Sequence, residues 1–272
     1  MRVRTVAGKI SQWYPLVRWP SPPETVPDAE EEDEYGRMAT DTIMLHQPTT
    51  AFQYGLTPLF PDQLPADVPS GLSFLLTDTA TLVYPAPGDV PPPPRVTPLP
   101  VPYRSQADNP PDIRWRVCLP TAAAMVLHHY GQEVPTLVLA DRILDRIHGR
   151  YGHWAHAVAA VSEYGGTGWV ARLNSWDPIV RSVQQGYPVL ISIAFSNGSL
   201  HGAPMTSTAG HFLVVAGFDG GNRVLCLDPA HRNAATGVVW YDIYELSDAW
   251  LGHGGTALFL LPPGATLTEP GD

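Results

Sequence analysis

The chain has 272 residues, 44% of them hydrophobic and 15% charged, with a formal net charge of −10. So much apolar material fills the core of one large domain or two modest ones, and it excludes a disordered polyelectrolyte despite 30 prolines. The acidic balance argues against nucleic acid and anionic membrane surfaces as partners, and no stretch approaches the ~18 uninterrupted apolar residues of a membrane span. Met1 to Lys9 lacks the apolar core of a secretory signal, and the residues alone leave the compartment open.

Residues 1–90 carry short β-like runs at 2–6, 13–19, 42–45, 52–59 and 72–84. They are rich in Thr, Tyr, Phe and Val and broken by Pro and Gly, which predicts a small antiparallel β-rich module. The acidic run Glu30-Glu31-Glu32-Asp33-Glu34 reads as a solvated loop in preference to a calcium site. Residues 91–102 open on four consecutive prolines and read as a semi-rigid spacer. A second domain spans 103–264, followed by a tail over 265–272.

Within that second domain the pattern turns from α to β. A helix starts near Cys118, with Pro120 in its first turn and Gly131 at its end. Helices are expected over 137–147, 153–164 and 176–185, each closed by a glycine or a glycine-containing turn. Strands are expected over 189–195, 212–218, 223–227, 238–243 and 256–261. Helices first and an antiparallel sheet after is an α+β layout.

Cys118 lies at the predicted N-terminus of an apolar helix, where the macrodipole and free N–H groups favour a thiolate, and Arg114 and Arg116 add positive potential. A buried structural thiol is the plainer alternative. His211 heads the apolar strand that runs to Asp219. A lone histidine there is more often a satisfied polar cap, yet the strand behind it would hold an imidazole rigidly, as a general base requires. Asp228 ends the next strand. The turn Asp219-Gly220-Gly221-Asn222 sets the outer ends of the two strands side by side, so Asp228 can orient the His211 ring whereas Asp219, at the turn, cannot. Gln106, shortly before the thiol, offers an amide N–H that with the Cys118 backbone N–H would make an oxyanion hole. A catalytic Cys118 must stay unpaired, so no disulfide to Cys226 is expected. His128, His129, His148, His153 and His156 lack any metalloprotease helix motif or paired-cysteine spacing and read as structural or surface residues; no metal and no cofactor is expected. Gly252-His253-Gly254-Gly255 precedes a strand and reads as a turn, not a phosphate loop.

The series Gln106, Cys118-Leu119-Pro120-Thr121, His128-His129-Tyr130-Gly131, Gly186-Tyr187-Pro188-Val189-Leu190, Gly210-His211-Phe212-Leu213 and Asp228-Pro229 resembles the bacterial papain-like cysteine peptidases related to double-glycine leader peptidases, over roughly residues 100–262. The resemblance implies a papain-like fold with helices packed on an antiparallel sheet. It implies Cys118 as nucleophile, His211 as base, Asp228 as orienting acid and Gln106 as oxyanion donor, acting on a peptide or protein substrate. One departure is Leu119, where many members carry Gly or Ser; a bulkier side chain there is expected to narrow the site. Tyr151-Gly152-His153-Trp154 and Leu200 to Met205 resemble segments of secreted members that bear an N-terminal β-sandwich. Ser11 to Leu16, Thr40-Asp41-Thr42 and Phe52-Gln53-Tyr54 resemble part of such a module. That likeness favours an extracytoplasmic location. The β module itself reads as a binding or positioning unit, of the kind that recognises carbohydrate or a cell surface. Two alternatives stand beside the peptidase: an amidase or acyl-transferase on a non-protein substrate, and a non-catalytic binding protein with a vestigial site.

Overall fold

The computed structural model describes residues 1–15, 32–39, 42–55, 73–78, 81–146 and 148–267. The chain forms two compact units, one of Met1–Leu72 with Arg146–Gly149 and one of Ser73–Asp145 with Arg150–Asp272.

In the first unit, β1 (Arg2–Thr5) pairs antiparallel with β4 (Thr49–Gln53), and β2 (Gly36–Ala39) pairs with β3 (Thr42–Leu45). Tyr14 is buried, and its hydroxyl donates to Asp33, whose carboxylate also accepts the N–H groups of Tyr35 and Gly36 at 2.8 and 3.0 Å. Part of the acidic run is therefore a local turn lock. Glu30 and Glu31, residues 16–19 of the strand expected over 13–19 and residues 56–59 of the one expected over 52–59 lie outside the described residues.

The second unit is built on a six-stranded antiparallel sheet in the order β5-β10-β6-β7-β8-β9. The strands are β5 (Thr167–Arg172), β6 (Val189–Phe195), β7 (Thr208–Phe218), β8 (Arg223–Leu227), β9 (Val238–Asp242) and β10 (Thr256–Leu261). Helices α1 (Cys118–His129), α2 (Thr136–Ile143) and α3 (Trp154–Ser162) pack on one face, against Leu190, Phe212, Val214 and Leu258. On the other face α4 (Asp177–Gln184) and α6 (Ile243–Leu251) pack against Val189, Ile191, Leu213 and Phe259. The short helix α5 (Ala234–Gly237) leads into β9. A sheet covered on both faces needs apolar side chains at successive positions, which is why β10 after Thr256 is an unbroken hydrophobic run and β6 is interrupted only by Ser192. Each fully buried Leu, Ile or Val in them contributes roughly 1.5–3 kcal/mol.

Two expectations are corrected here. The run over 72–84 forms no strand at its described residues; Leu75, Leu76 and Val83 are exposed, and β-favouring side chains without a paired neighbour do not hold a strand. The proline-rich residues 91–102 are not a free spacer. Val96 exchanges backbone hydrogen bonds with Phe218 at 2.9 and 3.2 Å, the Leu99 N–H donates to Ala216 at 2.8 Å, and Val90, Val96 and Val101 are buried. Proline removes donors, but the intervening Val and Leu keep theirs and dock the segment on β7.

Candidate active site

Helix α1 begins at Cys118, and its N-cap is Val117, a side chain that cannot accept a hydrogen bond. The first N–H groups of the helix therefore stay free for an acceptor, and Pro120 sits in this first turn, where a missing N–H is tolerated. From Leu119 to Leu127 every residue is buried, so the apolar body of α1 anchors the thiol at its tip, while Cys118 keeps contact with solvent. Leu119 does not narrow the site: its side chain is fully buried in the core between α1 and the sheet. Arg114 and Arg116 stack over the rings of Trp115 and Tyr151, at 5.5 Å in each case, and the interactions that stabilise the thiolate come from elsewhere.

Those interactions come from His211 and two backbone N–H groups. His211 lies in β7 opposite Ile193 of β6 and is almost completely buried. Its Nε2 donates to Asp228 Oδ1 at 2.7 Å, which leaves Nδ1 as the ring nitrogen for the hydrogen bond with the Cys118 thiol. Asp228 follows β8 directly, and only 1% of it is exposed. The register Val214 to Leu227 continues to place Asp228 beside Leu213, two residues from His211 along β7. Asp228 Oδ1 also accepts the Ala230 N–H at 2.9 Å, and Oδ2 accepts the Tyr241 hydroxyl at 2.7 Å.

The electrostatics follow from these contacts. Burial pushes the Cys118 thiol up, but the His211 hydrogen bond and charge and the N–H groups of Phe212 and Leu119 outweigh it and hold the thiol below its ordinary value. Burial likewise disfavours a charged His211, yet the Asp228 carboxylate and the Cys118 sulfur raise the imidazole to about 10. Asp228 is held low in spite of its burial, by the His211 charge and hydrogen bond, the Ala230 N–H and the Tyr241 hydroxyl. These contacts favour the charged form of each partner, a thiolate and an imidazolium backed by a carboxylate. Cys226 is the contrast: burial and the charge of Asp228 push its thiol well above the ordinary value.

Gln106 opens a 3₁₀ turn, Gln106–Asp108, capped by the Ser105 hydroxyl. Its backbone N–H donates to the Pro229 carbonyl at 2.8 Å, which ties it to the residue next to Asp228. The side chain is buried, and its Oε1 is a buried polar atom with no partner. That oxygen can only accept a hydrogen bond, so any contact of Gln106 with an oxyanion falls to its Nε2 amide group.

Sequence reasoning did not single out Tyr241 or Tyr103. Tyr241 is fully buried and donates to the carboxylate; the Tyr103 hydroxyl lies 2.9 and 2.7 Å from the carbonyl oxygens of Asp228 and His231 and shares its one proton between them. Nothing in the local pattern marks either one, since each meets Asp228 only through the fold. Three of the other histidines make local contacts: His153 caps α3 and stacks on His156 at 3.8 Å, and His129 Nε2 lies 3.0 Å from the Gly186 carbonyl.

Residues 98–258, more than half of the chain, match the Peptidase_C39 like family. The chain belongs to that family. Membership makes this C39-like protein a cysteine peptidase. No curated protein sequence matches it. Among solved structures it is similar to a C39-like peptidase from Bacillus anthracis, with 18% identity over 63% of this chain and 99% of the other, at a TM-score of 0.48. It is also similar to a double glycine motif protease from an AMS/PCAT transporter, solved with its leader peptide, with 21% identity over 62% and 97% of the two chains and a TM-score of 0.42. A further likeness is to xylellain, a cysteine protease from Xylella fastidiosa, with 12% identity over 70% and 94% and a TM-score of 0.42.

Proposed function

We propose that this C39-like peptidase cleaves peptide bonds by acyl transfer through Cys118, His211 and Asp228, with Gln106 completing the oxyanion hole. The observation that carries the reading is the buried His211, hydrogen-bonded on one ring nitrogen to Asp228 and on the other side to the Cys118 thiol.

In the first half-reaction the Cys118 thiolate attacks the scissile carbonyl carbon, a C–S bond forms and the carbonyl π electrons move to oxygen. The Gln106 side-chain amide and the Cys118 backbone N–H donate to that oxygen. Collapse re-forms the carbonyl and breaks the C–N bond as the His211 imidazolium passes its proton to the leaving nitrogen. Neutral His211 then takes a proton from water, hydroxide adds to the thioester, and a second collapse expels the thiolate and frees a carboxylic acid. The imidazolium is restored, so the site closes its cycle with no external proton source. Asp228 remains ionised throughout and stabilises the imidazolium.

The test is mass spectrometry of a peptide mixture incubated with the wild type and with Cys118→Ala. The proposal expects new peptide ends that carry one water's mass, and none from the variant. Equal cleavage by Cys118→Ala removes the nucleophile from the scheme. Products that carry an added amine in place of water would transfer the same site to acyl-transferase chemistry.

A further inference from the structure

Three of the four residues in the segment 103–106 are hydrogen-bonded to backbone carbonyls of the loop 228–231. Tyr103 Oη reaches the carbonyls of Asp228 and His231, Ser105 Oγ donates to His231 at 2.5 Å, and the Gln106 N–H donates to Pro229 at 2.8 Å. The backbone of Asp228 is held from its other side as well, because its N–H donates to the Gly237 carbonyl at 2.8 Å. Gly237 and Tyr103 touch: a Cβ on Gly237 would stand 2.3 Å from Cε2 and Cζ of the Tyr103 ring, a distance that no side chain tolerates. Gly237 has no positive φ, so it is this contact and not a backbone turn that calls for glycine.

We propose that Tyr103 is a positioning residue that locks the Gln106 segment to the Asp228 loop, and that Gly237 is glycine in order to admit it. This rests on the reading of Gln106 and Asp228 given above. The oxyanion donor arrives before α1 and the acid arrives after β8, more than a hundred residues later in the chain. Without a joint the two would be placed independently, each with its own error. With Tyr103 in place, the acid is pinned at its N–H by Gly237 and at its carbonyl by Tyr103. The same hydroxyl reaches the carbonyl that Ser105 holds, and Ser105 caps the turn that carries Gln106. His211 follows Asp228 through the Nε2–Oδ1 bond, so the base and the oxyanion donor share one frame. The groups that face Asp228 are His211 from β7, Cys226 from β8, Tyr241 from β9 and Tyr103 from the segment before α1.

Tyr103→Phe keeps the ring and removes the hydroxyl; Gly237→Ala keeps the hydroxyl and drives the ring out. Both act through one hydroxyl, so the double variant should lose no more than the worse single one. We expect kcat on a quenched-fluorescence peptide to fall ~10- to 100-fold in Tyr103→Phe with KM within about twofold, because misplacement near 1 Å costs on the order of 100-fold. Cys118→Ala is measured alongside. Wild-type kcat in Tyr103→Phe, a loss seen equally in KM, or losses that multiply in the double variant would each overturn the joint while an inactive Cys118→Ala leaves the triad reading standing. An active Cys118→Ala overturns both. Should Gly237→Ala fail to fold, Tyr103→Phe decides by its kcat and KM alone.

Discussion

Replacing Tyr241 with phenylalanine removes a single oxygen atom from beneath the active site. The ring is fully buried among the side chains packed under the sheet, and phenylalanine keeps that packing. What is lost is a 2.7 Å hydrogen bond to a carboxylate that is itself buried. Hydrogen bonds to charged groups contribute roughly 1.5–3 kcal/mol, and an acceptor left unpaired in the interior costs about as much. The variant should therefore be less stable by about 2 kcal/mol at neutral pH. The sign of the pH dependence follows from Asp228, whose carboxyl is held low although burial pushes it up, by His211, the Ala230 N–H and Tyr241. A depressed carboxyl contributes stability above its unfolded value, near ~3.9, and that contribution is lost as pH falls through the lower folded value. Without the Tyr241 donor the folded value rises, so the variant loses its share earlier on acidification. The gap between the two proteins should be full at neutral pH and shrink once Asp228 is protonated in both. Urea unfolding midpoints recorded from about pH 7 down to the acid side of the Asp228 titration in the folded wild type measure it. A destabilisation that is the same at both ends would show that Tyr241 acts through packing and not through the charge of Asp228.

Four further outcomes follow from the same geometry. Gln106→Ala should lower kcat ~100- to 1000-fold with little change in KM, the usual cost of one oxyanion donor, and steady-state kinetics giving a near-normal kcat would refute its role. Because the Cys118 thiol is held low and His211 is raised to about 10, the rate of Cys118 alkylation by iodoacetamide should be substantial at neutral pH. Peptidase activity should decline as pH climbs through about 10, when the imidazolium loses its proton; a profile still rising there contradicts the ion pair. Leu119→Ala should cost ~2–5 kcal/mol in stability and leave cleavage preference unchanged, since the side chain fills core and not cleft; a wider preference at full stability would reverse that assignment.

Some of this molecule is legible without coordinates because its physics is local. Its central strands are dominated by apolar residues, since their sheet is covered on both faces, and α1 announces itself by Pro120 in the first turn and Gly131 beyond the end. Other elements left weaker marks. Helix α6 follows β9 with no intervening loop, and its signal was the pair Asp242 and Glu245: the Asp242 carboxylate caps the N–H groups of Tyr244 and Glu245. Strand β5 is interrupted by Gly168, where a Cβ would lie 2.7 Å from the Phe259 carbonyl, so a residue that reads as a strand breaker is there to let β10 approach.

The composition and order of residues determined the α+β class, the position of a thiol at a helix tip, and a histidine and an aspartate on adjoining strands, because each depends on neighbours within a few residues or across one turn. Only the tertiary structure decided that Leu119 belongs to the core, that residues 91–102 dock on β7, and that Tyr103 and Tyr241 converge on Asp228 from opposite directions along the chain. A buried carboxylate must collect its hydrogen-bond donors from whatever packs around it, and which elements pack there is a property of the whole fold.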